Sequence, residues 1–229
     1  MKPFPTLSPS ALLDFEGCPK RWHEVKILKK YKQEDTEYFA YGNEVHKNLE
    51  EYTKYKTPLP EHLEYVAPMI DKAREEFVLC AELEIAITED WKPVGFWDKS
   101  AVLRGKIDFV AVSKKTALIV DWKTGNRKAD PFQLQVYGAL LYHILGVESV
   151  AAGYAWLKTK QRDVYSIDGT NFQSIKDDIT DRITRMKDAY EKQEFEARTG
   201  PLCCWCACLP DCEEAVYYRE NKDKIRRGR

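Results

Sequence analysis

No other part of this chain restricts its fold as tightly as residues 103–125, LRGKIDFVAVSKKTALIVDWKTG. The stretch reads as two strands joined by a short turn. Leu103, Ile107 and Phe109 fall at two-residue spacing, and Ala117 to Trp122 is a short apolar run of the kind buried in a sheet. Between them Ser113-Lys114-Lys115-Thr116 is polar and charged. Both strands also carry charge that an apolar sheet rejects: Asp108 on the first, Asp121 and Lys123 at the end of the second. A buried carboxylate without a partner is costly. Two on one sheet therefore need a cation between them, either Lys123 or a hard metal ion such as Mg2+ that takes oxygen ligands.

The rest of the chain is long enough to enclose this hairpin. At 229 residues it fits one large domain with a real core. No internal repeat, low-complexity tract or Gly/Ser linker interrupts it, so a single domain over 1–229 is expected. The net charge of -1 places any nucleic-acid affinity in a local basic patch instead of a global field. No apolar run approaches the roughly 20 residues of a membrane span, and the start MKPFPTLSPS lacks the apolar stretch of a signal peptide. A cytoplasmic or otherwise intracellular protein is the expectation.

Strands and helices interleave, which gives an α/β class. Ser8 and Pro9 open a helix carrying Leu12, Phe15 and Trp22, interrupted at Cys18-Pro19. Lys26 to Lys32 is a solvated basic face. Helices are expected over about 41–54, with His46, and over about 61–80, with Pro68 kinking the second or delaying its start. Cys80 on that helix reads as a small core residue. Residues 82–88 (ELEIAIT) alternate as a strand with Leu83, Ile85 and Ile87 inward, and a loop fills 89–100. A helix over about 130–145 is capped by Asp130; strands at 150–157 and 163–167 and a long amphipathic helix over 171–190 follow. Last come a cysteine segment and a basic tail, Lys222 to Arg229.

His46 in GNEVH, Asp108 in GKID, Asp121 and Lys123 in DWK, and Gln133 with Tyr137 in QLQVY stand in this order. The succession resembles the RecB-like branch of the PD-(D/E)XK nucleases, which includes the CRISPR-associated Cas-four exonucleases and the AddB nuclease domain. The resemblance runs from Ser8 to Cys212. It implies a restriction-endonuclease-like core, a central mixed sheet flanked by helices, with residues 82–145 as the catalytic core. It also implies a divalent-metal-dependent deoxyribonuclease, such as an exonuclease in DNA end processing, recombination, repair or phage replication. Phosphodiester hydrolysis needs an activated water and neutralisation of developing charge, and carboxylates holding a divalent ion serve both. By the resemblance, His46, Asp108 and Asp121 ligate Mg2+ or Mn2+, and Lys123 orients or deprotonates water or offsets charge. Gln133 and Tyr137 flank the site. Glu84 is a weaker candidate for a supporting acid. Arg104, Lys106, Lys114, Lys115, Arg127 and Lys128 are candidates for backbone contacts to single strands or duplex ends; Trp91, Trp97, Trp122 and Trp156 are candidates for base stacking.

Five of the seven cysteines lie within residues 203–212. In a reducing compartment such a cluster points to metal before disulfides. Cys203, Cys206 and Cys212 with distant Cys18 resemble the four-cysteine staple of the same nucleases. That resemblance implies a [4Fe-4S] cluster joining residues 1–30 to residues 195–215. Cys204 and Cys208 are additional, so the register of ligands is open, and zinc is the alternative occupant. Two further functions compete: a non-catalytic nucleic-acid-binding or assembly module on the same fold, and a redox-sensing iron–sulfur or zinc protein whose carboxylates are structural.

Overall fold

The expected hairpin forms the middle of a six-stranded sheet. The computed structural model describes residues 3–31, 37–127 and 130–227. In chain order the helices are α1 (Pro9–Gly17), α2 (Pro19–Trp22), α3 (Glu37–Tyr55), α4 (Ala67–Glu76), α5 (Phe132–Leu145), α6 (Phe172–Lys192) and α7 (Glu213–Arg227). The strands are β1 (Val78–Ile87), β2 (Pro93–Val94), β3 (Leu103–Val112), β4 (Thr116–Lys123), β5 (Ser149–Trp156) and β6 (Gln161–Asp168). The chain falls into two compact units, one of residues 5–9 and 36–180, the other of residues 1–4, 10–35 and 181–229.

The larger unit holds the sheet, in the order β2-β1-β3-β4-β5-β6. Every neighbouring pair is antiparallel except β4 and β5. A parallel pair needs a crossover, and α5 supplies it. Val120 and Trp122 of β4 join Phe109 and Ala111 in a core with Val45 and Leu49 of α3 and Ile70 and Ala73 of α4. Asp121 and Lys123, of opposite alternation, meet α5 through Gln133. Alternation along one strand thus puts apolar packing on one face and the polar groups on the other. Pro68 delays the third expected helix: residues Glu61–Val66 form a 3-10 turn, and α4 follows with proline in its first turn. Asp130 accepts the backbone N–H of Phe132 at 3.0 Å, but the N-cap position of α5 is taken by Pro131, so the helix begins two residues later than expected.

The smaller unit contains α1, α2, the π-helical turn His23–Ile27, the second part of α6, and α7. Trp22 is its aromatic centre, 5.5 Å from Phe15, 6.1 Å from Phe195 and 6.5 Å from Tyr190 between ring centroids. Lys20 pairs with Glu214 at 3.2 Å. Glu16 pairs with Arg182 and Arg185. The two ends of the chain are therefore tied by packing and ion pairs.

Several boundaries differ from the sequence reading. Helix α4 ends at Glu76, and Val78 already begins β1. Cys80 is accordingly a half-buried strand residue and not a helical one. Helix α3 starts at Glu37, four residues early. The loop over 89–100 contains the two-residue β2, and the tail is helical through Arg227. Acidic Glu213 and Glu214 favour the N-terminus of α7, and Ala215 and Tyr218, three apart, bury one side of it. Lys32, Lys128, Gly228 and Arg229 lie outside the described residues.

Candidate active site

The site forms where the β3–β4 ladder stops. Its last pair toward the strand end is Phe109 with Val120. One step further, the same register sets Asp108 opposite Asp121. On the other side of β3, Ala81 pairs with Phe109 and Leu83 with Ile107, which sets Glu82 opposite Asp108. Three carboxylates thus stand in a row across β1, β3 and β4. Like charges directly opposite each other destabilise a sheet, so the row requires cations and relief from the ladder. Relief is visible twice. The Trp122 N–H donates to Asp108 Oδ2 at 2.9 Å instead of joining β3, and Glu82 adopts a left-handed backbone, φ 56°. A non-glycine residue there stores about 1–3 kcal/mol, the kind of strain that concentrates at functional sites.

The same point is a change of face. Phe109 pack toward α3 and α4, whereas Gly105, of equal alternation, faces Tyr137 of α5. Groups from both sides of the sheet therefore converge. From α3, His46 Nδ1 lies 3.3 Å from Asp108 Oδ1. The hydrogen bond to Asp108 holds the imidazole proton above its usual pKa against an opposing effect of burial. From α5, Gln133 Nε2 donates to Asp121 Oδ1 at 2.9 Å and to the Tyr137 hydroxyl at 3.1 Å, while its Oε1 accepts from Lys123 Nζ at 3.1 Å. Lys123 Nζ also stands 2.5 Å from Asp121 Oδ2 and 5.2 Å from the Tyr154 ring centroid.

Asp121 is 2% exposed. Burial pushes its pKa up to about 6, opposed by Lys123 and reinforced by Asp108. Its Oδ2 has the Lys123 charge beside it but no directed hydrogen bond. His46, Glu82 and Asp108 place one ligand atom each within 4.8 Å of one another, the one group of three or more such residues among the described residues. Glu82 is paired at 2.5 Å with Lys106. An imidazole and a row of carboxylates form a donor set that suits a hard divalent cation.

The sequence-derived residues His46, Asp108, Asp121, Lys123, Gln133 and Tyr137 are thus brought together. Glu84 is not: it is exposed, and Glu82, unpredicted, takes its place in the row. The strand pattern alone offered both glutamates, and only the register with Asp108 separates them. Trp91, Trp122 and Trp156 are core residues, whereas Trp97 is 75% exposed and flanks Arg104 at 4.6 Å. Lys114 and Lys115 lie at the far end of the hairpin, seven and six residues, or about 20 Å of strand, from Asp121. Arg127 is engaged with Asp163.

In the smaller unit, Cys18, Cys203, Cys206, Cys208 and Cys212 line a common cavity of about 20 Å³, and Cys204 does not. Cys18 Sγ accepts the N–H groups of Arg21 and Arg198, and Cys203 Sγ that of Gly200, each at 3.4 Å. Burial raises the thiol pKa of Cys208, to about 12, and that of Cys212. No three of the sulfurs lie mutually within 4.8 Å. Two thiolates on one zinc ion are at most about 4.6 Å apart, so the sulfurs are gathered neither around a single zinc nor as the expected cluster of four cysteines.

A sheet end bearing a carboxylate row, a histidine and a fixed lysine defines a metal-binding hydrolytic class of site. The model of the PD-(D/E)XK nuclease superfamily matches residues 6–213, and the chain belongs to that superfamily. Its members are metal-dependent nucleases, and the six-stranded mixed sheet with flanking helices is of the restriction-endonuclease-like kind. Among solved structures, a protein from Eubacterium rectale named "Putative exonuclease" is 13% identical, with a TM-score of 0.54, over 88% of this chain and 86% of that one; at this identity the likeness is one of fold. SSO0001 is 14% identical over 94% of this chain and 89% of that one, with a TM-score of 0.46. No curated protein matches by sequence. No helix among the described residues is long and apolar enough to cross a membrane.

Proposed function

We propose that the protein is a DNA exonuclease of the RecB-like branch, a single nuclease domain that processes DNA ends in recombination, repair or phage replication. The observation that carries this is the row Glu82–Asp108–Asp121 with His46 against its middle carboxylate and Lys123 at the Asp121 end. His46, Glu82, Asp108 and Asp121 would hold Mg2+ or Mn2+. When bound, the ion supplies Lewis-acid stabilisation of phosphate charge and lowers the pKa of water. Lys123, fixed by Asp121, Gln133 and the Tyr154 ring, presents its ammonium to the attacking water and to the phosphate oxygens. Gln133 holds Lys123 and Asp121 at once, and Tyr137 anchors Gln133. Their role is to position.

The same reading gives the cysteine cavity a thiolate-bound [4Fe-4S] cluster on Cys18, Cys203, Cys206 and Cys212. Five cysteines in one lining, basic Lys20, Arg21 and Arg198 beside them, and N–H···S hydrogen bonds suit such a cluster. The cavity of about 20 Å³ holds little more than a water, so the 203–212 segment has to spread to accept it.

The test is degradation of end-labelled single- and double-stranded DNA with Mg2+, Mn2+ or EDTA, by anaerobically prepared protein beside Asp121→Ala. Metal-dependent loss of label that disappears in the folded variant is expected, and the label lost first gives the polarity. A folded wild type that binds DNA and cuts none would instead make the protein a non-catalytic binding module.

A further inference from the structure

Helix α3 carries a stripe at three- and four-residue spacing: Tyr38, Gly42, Val45, Leu49 and Thr53. Val45, Leu49 and Thr53 are buried under the sheet. At Gly42 the helix passes close to the end of β4, where a Cβ would stand 3.5 Å from Thr124 Oγ1. One turn earlier the stripe has no core beneath it. Tyr38 is 87% exposed and its neighbour Phe39 59%. Both rings line the same open pocket, about 550 Å³, as His46, Glu82 and Asp108. Lys47 and Lys106 line it too.

We propose that Tyr38 and Phe39 are a stacking platform for bases of a single-stranded DNA end, holding the strand while its phosphate enters the carboxylate row. The proposal rests on the nuclease reading and adds the substrate form. Two considerations favour a single strand over another occupant. Aromatic faces stack on bases only where these are not already stacked in a duplex, and such contacts tolerate any sequence. The pocket also combines the rings with Lys47 and Lys106, each paired with a glutamate, with acidic Glu50 and with a candidate cation site; loaded with a cation, it complements a polyanion with exposed bases and not an apolar protein surface. The spacing is suitable. Phe39 lies seven residues, about 10 Å of helix, from His46, a distance that a few nucleotides span at about 3.4 Å each in a stacked strand.

The experiment compares wild type with Tyr38→Ala and Phe39→Ala on labelled oligothymidylate, intact or carrying one abasic position placed successively along the strand. Tyr55→Ala, exposed at the opposite end of α3 and outside the pocket, is the control. Each platform variant is expected to raise KM on the intact strand about tenfold, with kcat nearly kept. On the strand whose missing base coincides with the platform the difference from wild type should vanish, and Tyr38→Trp should restore KM. Variants that behave like wild type on intact strands, or that lose as much on every abasic strand, overturn the proposal. Anisotropy titration of the uncut strand with Mg2+ in the Asp121→Ala background separates this from the nuclease reading. Tenfold weaker binding on removal of Tyr38 supports the platform even if the wild type proves inactive; unchanged binding refutes it even if the wild type cuts.

Discussion

Asp121 should make the metal-free protein less stable than its neutral isostere. The carboxyl is almost wholly buried, and its pKa stands at about 6 instead of 3.8. At about 1.36 kcal/mol per tenfold change, that displacement corresponds to about 3 kcal/mol. Because the folded-state value is raised, the native state favours the protonated form. The cost of ionisation is absent below about pH 4, grows between 4 and 6, and is complete above 6. Asp121→Asn removes it. The amide oxygen can still accept from Gln133 Nε2, and Lys123, partly exposed, keeps Gln133 Oε1. Urea unfolding in EDTA is therefore expected to show the variant more stable by about 3 kcal/mol at pH 7.5, with the gain fading toward pH 4. Saturating Mg2+ should reverse the order, since an ion at a thousandfold its Kd stabilises wild type by about 4.1 kcal/mol and the variant far less. A variant less stable than wild type in EDTA, or a difference that does not change with pH, would refute the electrostatic account of the site.

Three more outcomes are expected. Metal binding should release a proton near neutral pH, because Asp108 raises the His46 pKa and the ion competes with that proton; calorimetry in buffers of different ionisation enthalpy reads it, and affinity should fall as pH drops. Buffer-independent heats would count against His46 as a ligand. Gly105→Ala places a Cβ 2.6 Å from Cε1 of buried Tyr137, so it should cost about 1–3 kcal/mol in chemical unfolding and lower activity by displacing Gln133. Alanine at Cys18, Cys203, Cys206 or Cys212 should abolish bound iron measured anaerobically, whereas Cys204→Ala, outside the cavity, should retain it. Iron lost equally in all five would remove the assignment.

What the sequence disclosed was whatever depends on nearest neighbours along the chain. The hairpin at 103–125 was legible because alternation and a polar turn are local. Boundaries were missed where two local signals overlap. The apolar spacing Leu63, Val66, Ile70, Ala73 and Phe77 runs without a break into Val78 and Leu79, and only pairing with β3 assigns those two to a strand. The site was half legible for the same reason. His46, Asp108, Asp121 and Lys123 announce themselves by motif, but Glu82 and Glu84 are equivalent along β1. Their difference is made across the sheet, where Ala81–Phe109 and Leu83–Ile107 leave Glu82 beside Asp108.

That cross-strand register also explains why the site and the stability of the sheet cannot be optimised together. A ladder continued through Glu82, Asp108 and Asp121 would satisfy its backbone and bring three like charges within about 5 Å of their neighbours. The chain instead breaks the ladder, twists Glu82 into the left-handed region and gives the Trp122 N–H to a carboxylate. Lys106 and Lys123 each neutralise one end of the row. A divalent ion among the carboxylates would release Lys106 from Glu82 and turn its ammonium from an internal counter-ion into a phosphate contact at the mouth of the same pocket. Like charge and backbone strain are therefore concentrated at one point of the sheet, the point that the proposed function gives to metal and substrate.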